Sequence, residues 1–207
     1  MITTERLIIR QFNIDDTEAL FSILSDKEVN KYLPWFVFTS IEETKNHLQK
    51  FYLDTNDNNN FYRYAVCLKE NNIPIGYIHF ENNNDSNDFG YGLKKEYWNK
   101  GIITEASKKV IEKLKNDNIK YITATHDINN IASGEVMKKI GMHYKYSYEE
   151  LWQPKNILIT FRMYQLNLDD NKSRVYCHGA IDIVLLLAII FLILSLIVIY
   201  PNEEINL

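Results

Sequence analysis

A strand-like run, a short glycine-containing turn and a helix-like run follow one another at residues 89–114. The turn and its flanks read Tyr-Trp-Asn-Lys-Gly-Ile-Ile-Thr-Glu-Ala over residues 97–106. When a strand passes through such a turn into a helix, the first N–H groups of that helix have no partner within it. These donors point at one spot, which the helix dipole makes favourable for an anion. The turn therefore predicts a phosphate site, with these residues around it: Asn99, Lys100, Gly101, Ile102, Ile103 and Thr104.

Length, net charge and cysteine content limit the types of protein that this chain can be. The 207 residues suffice for one or two domains with a sizeable core. The net charge of −4 gives no basic field for nucleic acid, so no nucleic-acid partner is expected. Cys67 and Cys177 lie far apart and show no metal-ligand spacing, so neither a disulfide framework nor a metal site is predicted. A reducing compartment is the simplest interpretation.

An apolar run occupies residues 183–200 and is interrupted only by Ser195. As a helix it would be about 27 Å long, close to the ~30 Å hydrocarbon thickness of a bilayer. The flanking charges place the preceding domain in the cytoplasm, with basic residues before the run and acidic residues after it: Lys172, Arg174, His178, Glu203 and Glu204. We therefore predict a transmembrane tail anchor at residues 181–200. The alternatives are a buried core helix, or a tail with no role in activity.

The remaining pattern predicts a domain over residues 1–168, followed by a polar linker over residues 169–180 and a short tail over residues 201–207. Alternation predicts strands at residues 6–11, 61–68, 75–80, 89–93, 121–125, 143–149 and 158–166. Helical spacing and capping residues predict helices at residues 15–24, 40–53, 104–115 and 130–140. An antiparallel meander followed by a βαβα unit predicts a mixed α/β (α+β) fold, with a mostly antiparallel sheet and helices on both faces.

A second polar segment, residues 126–133, follows the predicted strand at residues 121–125. Ligands of open α/β sheets bind at the carboxyl ends of strands, where this segment and the phosphate turn both lie. Asn130 and Ser133 are three residues apart, so they share one face of a helix N-terminus and can hydrogen-bond a common ligand. The alternative is that Asn130 only caps the helix and Ser133 only packs.

Five segments in this order resemble the GNAT superfamily of N-acetyltransferases, over about residues 3–168. They are Tyr91-Gly92-Leu93, Tyr97-Trp98-Asn99-Lys100-Gly101, Thr104-Glu105-Ala106, Asn130-Ile131-Ala132-Ser133 and Lys139-Ile140-Gly141-Met142. The opening segment, residues 4–10, is similar to the Rim-type branch, the ribosomal-protein-alanine acetyltransferase-like enzymes. The resemblance implies a GNAT-like acyl-CoA N-acyltransferase fold.

The resemblance also implies a ligand, acetyl-CoA, and a reaction. The pyrophosphate would lie on the backbone amides of residues 99–104, and the pantetheine arm between the strands at residues 89–93 and 121–125. A backbone N–H of the first strand, assigned to Leu93, would polarise the acetyl carbonyl. Asn130 would bind the pantetheine arm, and Ser133 would serve the leaving thiolate. The amine attacks directly, without a covalent enzyme intermediate or a metal.

Three residues depart from the family pattern. The family motif has Arg or Gln where this chain has Trp98, although the Rim-type branch often carries Trp there. The family motif has Gly or Ala where this chain has Ile103, whose bulk would narrow the approach of the pyrophosphate. Many relatives also carry a tyrosine where this chain has Met137, which cannot donate a proton. Because of this departure, Ser133 or water becomes the stronger candidate for the acid that protonates the leaving thiolate.

The base that deprotonates the amine has several candidates. Asp88 and Glu150 are favoured, each working through a water, and Glu149 and His126 are the others. Each is also interpretable as a solvated surface group. Four aromatic residues precede the second predicted helix and overhang the acceptor site of this fold, unless they pack in the core: Tyr32, Trp35, Phe36 and Phe38.

The sequence thus predicts an acetyl-CoA-dependent N-acetyltransferase on the cytoplasmic face of a membrane. Its acceptor would be a primary amine, either a protein N-terminus or a small molecule. The alternatives are a non-catalytic acyl-CoA-binding module and a membrane-anchored interaction protein that uses the fold as a scaffold. The pattern does not fix the oligomeric state.

Overall fold

Within the part of the chain that the structure describes, a single sheet of eight strands forms the core of the fold. The computed structural model describes residues 1–54, 62–82, 86–171 and 174–176. The strands are β1 Ile2–Thr3, β2 Leu7–Gln11, β3 Arg63–Leu68, β4 Pro74–Glu81, β5 Asp88–Leu93, β6 Tyr121–Asp127, β7 His143–Trp152 and β8 Ile157–Asn167. Their order in the sheet is β1-β2-β3-β4-β5-β6-β8-β7. Neighbouring strands are antiparallel except for β5 and β6, which are parallel. The predicted mixed, mostly antiparallel sheet is confirmed. The sequence pattern does not predict β1, because its two residues are too few to show a period.

Among the described residues, four α-helices flank the sheet: α1 Thr17–Leu24, α2 Ile41–His47, α3 Ile102–Asn116 and α4 Ile131–Lys139. The hydroxyl of Ser40 accepts the N–H of Glu43 at 3.1 Å, which is the predicted cap at the start of α2. After α2 the chain continues as a π-helical segment, Leu48–Leu53, which helical spacing alone does not distinguish from an α-helix.

Two apolar clusters hold the helices on opposite faces of the sheet. The first cluster joins α3 and α4 to the face that carries Val66 and Ile78. The second joins α1 and the π-helical segment to the face that carries Cys67 and Tyr77. Neighbouring residues of a strand fall into different clusters because side chains alternate between the two faces of a sheet. We call these the α3/α4 face and the α1/α2 face.

The parallel strands β5 and β6 are paired over a short stretch. Their register consists of Asp88 opposite Thr123. The N–H of Thr123 donates to the carbonyl of Asn87 at 2.9 Å. Beyond this point the two strands run to their carboxyl ends without a shared register. The resulting gap, which we call the β5–β6 notch, lies between the two segments that the sequence predicts as ligand-binding.

The chain divides into two units, Met1–Tyr176 and Cys177–Leu207. Part of the predicted linker contacts β8, because the side-chain amide of Gln165 donates to the carbonyl of Arg174 at 2.9 Å and its Oε1 accepts the N–H of Tyr176 at 2.8 Å. Among the residues that the structure describes, no helix is long and apolar enough to cross a membrane. The predicted span at residues 181–200 lies outside the described residues, as does Cys177.

Candidate active site

The predicted phosphate turn connects β5 to α3, and two of its residues have a left-handed backbone conformation. A 3-10 turn, Lys95–Tyr97, follows β5. Asn99 then has φ +59° and Gly101 has φ +71°. Glycine adopts this conformation at little cost, whereas a residue with a Cβ is strained there by about 1–2 kcal/mol. The sequence Asn-x-Gly thus supplies the two residue types that this backbone path tolerates best.

The N-terminus of α3 keeps its first donors uncapped. Glu105 makes the first intrahelical bond, to the carbonyl of Gly101 at 3.0 Å. No side chain caps the helix at Gly101. The N–H groups of Ile102, Ile103 and Thr104 precede that bond, so they are the orphan donors of the helix. The structure thus leaves three N–H donors at the predicted anion site, and anion binding there stays a prediction.

The bulky residue of the turn does not obstruct this site. The side chain of Ile103 is 8% exposed and lies in the apolar cluster of the α3/α4 face, together with Ile102. A Cβ placed on Gly101 would have its nearest neighbour, an Arg6 nitrogen, at 3.9 Å. The space beside the Gly101 Cα is thus open.

Arg6, which precedes Lys100 by 94 residues in the sequence, bonds to the phosphate turn. Its guanidinium donates to the Lys100 carbonyl at 3.1 Å and to one Glu105 oxygen at 2.6 and 2.8 Å. Burial alone would raise the pKa of Glu105, but hydrogen bonds from Thr4 and Arg6 outweigh burial and lower it. Arg6 is 45% exposed, so this pair contributes little stability. Its effect is to fix the path of the turn, a role that the sequence does not predict.

Trp98 connects the same turn to β5. Its indole N–H donates to the Leu93 carbonyl at 2.8 Å. The family pattern has another residue type at this position, so the sequence shows Trp98 only as a departure. The bond shows that the Trp98 side chain serves as a hydrogen-bond donor at this position and connects the turn to the last residue of β5.

The backbone of Leu93 faces the β5–β6 notch. Successive residues of a strand direct their backbone groups to alternate neighbours. Lys94 donates its N–H to the carbonyl of Ile75 in β4, at 2.8 Å, and the Asn87 carbonyl faces β6. The N–H groups of Tyr91 and Leu93 therefore point toward β6, beyond the end of the β5–β6 register. A carbonyl oxygen in the notch could accept them.

Ser133 and Asn130 meet at the N-terminus of α4. Asn130 Oδ1 accepts the Ser133 N–H at 3.3 Å, so Asn130 is a helix cap. The amide nitrogen of Asn130 remains available to a ligand. The Tyr91 hydroxyl, from β5, lies 2.9 Å from the Ser133 carbonyl oxygen and 3.1 Å from Ser133 Oγ. Three polar residues of two elements thus converge beside the notch, and the sequence does not predict the part of Tyr91.

Two further residues of this region have buried side chains. Met137 is 2% exposed and belongs to the core. His126 is also buried, and its Nδ1 lies 2.8 Å from the Asp127 carbonyl, so Nδ1 carries the proton. Burial lowers the pKa of His126 and keeps the ring neutral. Its Nε2 packs against Gly134, where a Cβ would approach to 2.7 Å. His126, a predicted base candidate, therefore supports the first turns of α4.

Asp88 lies on the α1/α2 face beside a neutral histidine. Burial, followed by the charge of Glu81, raises the pKa of Asp88 to about 6, although 48% of the side chain remains exposed. Burial and the charge of Arg63 lower the pKa of His79 to about 4. The 3.9 Å contact between His79 Nε2 and Asp88 is therefore not an ion pair at neutral pH. The carboxylate keeps a free lone pair for a proton.

The favoured base candidates share this face with Tyr148. Burial and the charge of Glu150 raise the pKa of Tyr148 well above its usual range, and the charge of Asp88 contributes. Asp88 and Glu150 are thus close enough to act on the same tyrosine. Glu149 points to the opposite face because side chains alternate along β7, and its carboxylate lies 3.5 Å from the Thr160 hydroxyl. The structure separates Glu149 from the other two.

The aromatic residues before α2 do not act as one group. The Trp35 indole donates to Asn30 Oδ1 at 3.2 Å, and Phe38 packs on the cluster of the α1/α2 face. Phe36 is 64% exposed. Lys155, from the β7–β8 turn, donates to the Leu33 carbonyl at 2.6 Å and joins that turn to this segment. Within the described residues no cluster of His, Cys, Asp or Glu is placed to hold a metal ion.

Comparison with known proteins fits this geometry. Residues 6–143 match the acetyltransferase (GNAT) domain family. The chain is 35% identical over 144 residues to the uncharacterised N-acetyltransferase YnaD of Bacillus subtilis, covering 68% of this chain and 81% of that protein. It superposes on a GNAT-family acetyltransferase from Bacillus anthracis with a TM-score of 0.71 and 30% identity, over 81% of this chain and 98% of the other.

A third similarity concerns the fold alone. RimL, a ribosomal L7/L12 alpha-N-protein acetyltransferase solved with coenzyme A, superposes with a TM-score of 0.68 at 20% identity, over 80% of this chain and 96% of RimL. The domain match covers about two thirds of the chain and includes the phosphate turn and the α4 N-terminus. This protein therefore belongs to the GNAT family of acetyltransferases.

Proposed function

We propose that this protein transfers the acetyl group of acetyl-CoA to a primary amine, by direct attack of the amine in a ternary complex. The observation that carries the proposal is the uncapped N-terminus of α3 beside the β5–β6 notch. Family membership supports acetyl transfer in general. The fold neighbour RimL was solved with coenzyme A, which supports acetyl-CoA as the co-substrate.

The residues present fit this co-substrate. The orphan N–H groups of α3 and the open space at Gly101 suit a pyrophosphate, which binds well at helix N-termini. The Asn130 amide nitrogen and the inward N–H groups of β5 suit the amide and carbonyl groups of a pantetheine arm. Acetyl-CoA, when bound, supplies an activated thioester.

Residues of the chain then have distinct tasks. The Leu93 N–H would hydrogen-bond the acetyl oxygen and favour the charge that develops on it. Asp88 or Glu150 would take the proton of the attacking ammonium, directly or through a water. As the nitrogen–carbon bond forms, the nitrogen releases its second proton to water, the carbon–sulfur bond breaks, and the electron pair of that bond leaves with sulfur as a thiolate. Ser133 would donate a hydrogen bond to that sulfur.

The acceptor face favours a cationic amine. Asp88 and Glu150 place carboxylates on the side of the sheet that carries α1 and α2. The carboxylate of Glu81 on the same face is already paired with Arg63 at 3.1 Å. Exposed Phe36 offers an apolar contact for the rest of the substrate. We infer that the acceptor is a peptide N-terminus or a small-molecule amine. RimL, by its name, acts on the α-amino group of a ribosomal protein, which keeps the Rim-type assignment within this proposal.

The test is thiol release from acetyl-CoA with a panel of peptides, polyamines, aminoglycosides and amino acids. At least one acceptor should raise release well above the rate without amine, and mass spectrometry should find the acetylated product. Saturable CoA binding without any transfer would indicate a non-catalytic acyl-CoA-binding module. Absence of CoA binding would indicate an interaction protein that only uses the fold.

We further propose that residues 181–200 anchor the domain to the cytoplasmic face of a membrane. The support is the length and hydropathy of the segment and the flanking charges. Membrane flotation of the full chain and of a chain ending at Tyr176 tests this. The full chain should float with vesicles in a carbonate-resistant manner and the shorter chain should not. Equal behaviour of the two would refute the anchor.

A further inference from the structure

One side-chain bridge connects β5 to α4 beside the notch. The Tyr91 hydroxyl reaches both the carbonyl oxygen and Oγ of Ser133, at 2.9 and 3.1 Å. Next to it, the register between β5 and β6 has ended. The position of the α4 N-terminus relative to β5 therefore depends at this point on a tyrosine hydroxyl.

Counting protons fixes the direction of both bonds. A carbonyl oxygen only accepts, so the single hydroxyl proton of Tyr91 goes to the Ser133 carbonyl. The second contact is then satisfied when the Ser133 hydroxyl donates to Tyr91 Oη. Ser133 is also held through its N–H, which Asn130 Oδ1 accepts at 3.3 Å. The backbone and the side chain of Ser133 are thus both fixed, and its proton lies on the β5 side of α4.

Burial keeps this arrangement in one protonation state. The pKa of Tyr91 is raised well above its usual range by burial, against a smaller opposing effect of its bond to Ser133. Tyr91 therefore stays a neutral donor over the working range of pH. Its single hydroxyl proton is engaged with the Ser133 carbonyl at 2.9 Å, which leaves Tyr91 a positioning role.

We infer that Tyr91 is a positioning residue that holds the Ser133 hydroxyl toward the coenzyme sulfur. The inference rests on the proposed function, because that function places a sulfur at the notch. The Ser133 O–H turns from Tyr91 Oη to the sulfur when negative charge develops there. The bond from Tyr91 to the Ser133 carbonyl persists and keeps α4 in place during this exchange.

The test compares binding of CoA and of desulfo-CoA, which lacks the sulfur, by calorimetry at pH 7 and pH 9. Removal of one hydrogen bond changes an equilibrium by about fivefold. Wild type should prefer CoA over desulfo-CoA by about that factor, more so at pH 9, where the thiol is more ionised. Tyr91→Phe and Ser133→Ala should each remove the preference and leave desulfo-CoA affinity unchanged within about twofold. The double variant should lose nothing more, because the two residues act as one unit.

Tyr62→Phe is the matched control. Tyr62 packs against the same core cluster, and its hydroxyl bonds Asp117 at 3.1 Å. This variant should keep the preference for CoA, and thermal melting should show all variants folded. An acetyl-transfer assay adds a second readout, in which Tyr91→Phe lowers kcat with KM for acetyl-CoA unchanged.

Each other outcome is decisive. Equal binding of both ligands by wild type, an additive double variant, or tighter CoA binding by Tyr91→Phe overturns the positioning role while the proposed function stands. Absence of binding of either ligand by wild type overturns both.

Discussion

The indole N–H of Trp98 donates a hydrogen bond of 2.8 Å to the backbone carbonyl of Leu93. This bond joins the last residue of β5 to the turn that ends at the orphan N–H groups of α3. It occupies the Leu93 carbonyl and leaves the Leu93 N–H directed at the notch. The two proposed contacts to the co-substrate, at the pyrophosphate and at the acetyl group, are therefore set by one short segment of backbone.

Trp98→Phe removes this donor and keeps an aromatic ring. The turn loses one hydrogen bond of about 1 kcal/mol, so the Kd for CoA should rise about fivefold. Trp35→Phe is the control, because the Trp35 indole also donates one bond, to Asn30, away from the turn. Calorimetry with CoA should separate the two variants. Equal affinity of Trp98→Phe and wild type would show that the bond does not position the turn.

Gly101→Ala tests the left-handed backbone of the turn. A Cβ at residue 101 meets no atom closer than 3.9 Å, so the cost is the φ of +71° rather than a clash. The variant should lose about 1 kcal/mol of stability and bind CoA several-fold more weakly, because relaxation of the strain would turn the orphan N–H groups. Gly141→Ala is a matched control with φ +94° and its nearest atom, from Leu166, at 3.8 Å. Gly141→Ala should lose a similar amount of stability and bind CoA as tightly as wild type. If both variants bound CoA more weakly, the weaker binding of Gly101→Ala would be a consequence of lost stability and not of the turn.

The sequence predicts those parts of the site that depend on local pattern. Gly101 lies in the turn of a strand-turn-helix pattern, and Asn130 and Ser133 have the spacing of a capped helix. The sequence therefore predicts the positions of the α3 and α4 N-termini. Their adjacency follows from the order of strands. The bridges across the site could not be predicted, because Tyr91 and Ser133 are 42 positions apart and Arg6 and Lys100 are 94 apart.

The same limit applies to Ile103 and Asp88. The pattern shows that Ile103 departs from the family motif, but only the packing of α3 shows that its side chain points into the core. Asp88 is a base candidate by position, but the pKa of its carboxyl depends on burial and on Glu81 from the neighbouring strand. Burial and pairing are properties of the fold, so the sequence does not contain them locally.

Gly134→Ala tests the support that His126 gives to α4. The new Cβ would lie 2.7 Å from His126 Nε2, and the ring is fixed by its contact with the Asp127 carbonyl. Overpacking of this kind costs about 1–3 kcal/mol, which exceeds the gain of at most ~1 kcal/mol in helix propensity. Urea unfolding should show a net loss. In a His126→Ala background the same change should be neutral or stabilising, and an unchanged loss there would refute the clash.

The raised pKa of Asp88 predicts an acid limb in the pH–rate profile, that is, a fall in rate as the pH drops below about 6. Its pKa of about 6 makes the basic form available above that pH, so kcat/KM for the amine should rise through pH 6. Asp88→Asn should remove this limb and lower kcat on the order of 100-fold. Glu149→Gln, on the opposite face, should leave both unchanged.

The same shift predicts how stability responds to pH. The folded pKa is raised above the ordinary value of 3.8, so the stabilising contribution of Asp88 is full below pH 3.8 and is lost as pH rises through about 6. Asp88→Asn should therefore not lower Tm at pH 8, and its loss of rate there cannot be attributed to unfolding. A limb near pH 6 that persists in Asp88→Asn but disappears in Glu150→Gln would transfer the role of base to Glu150.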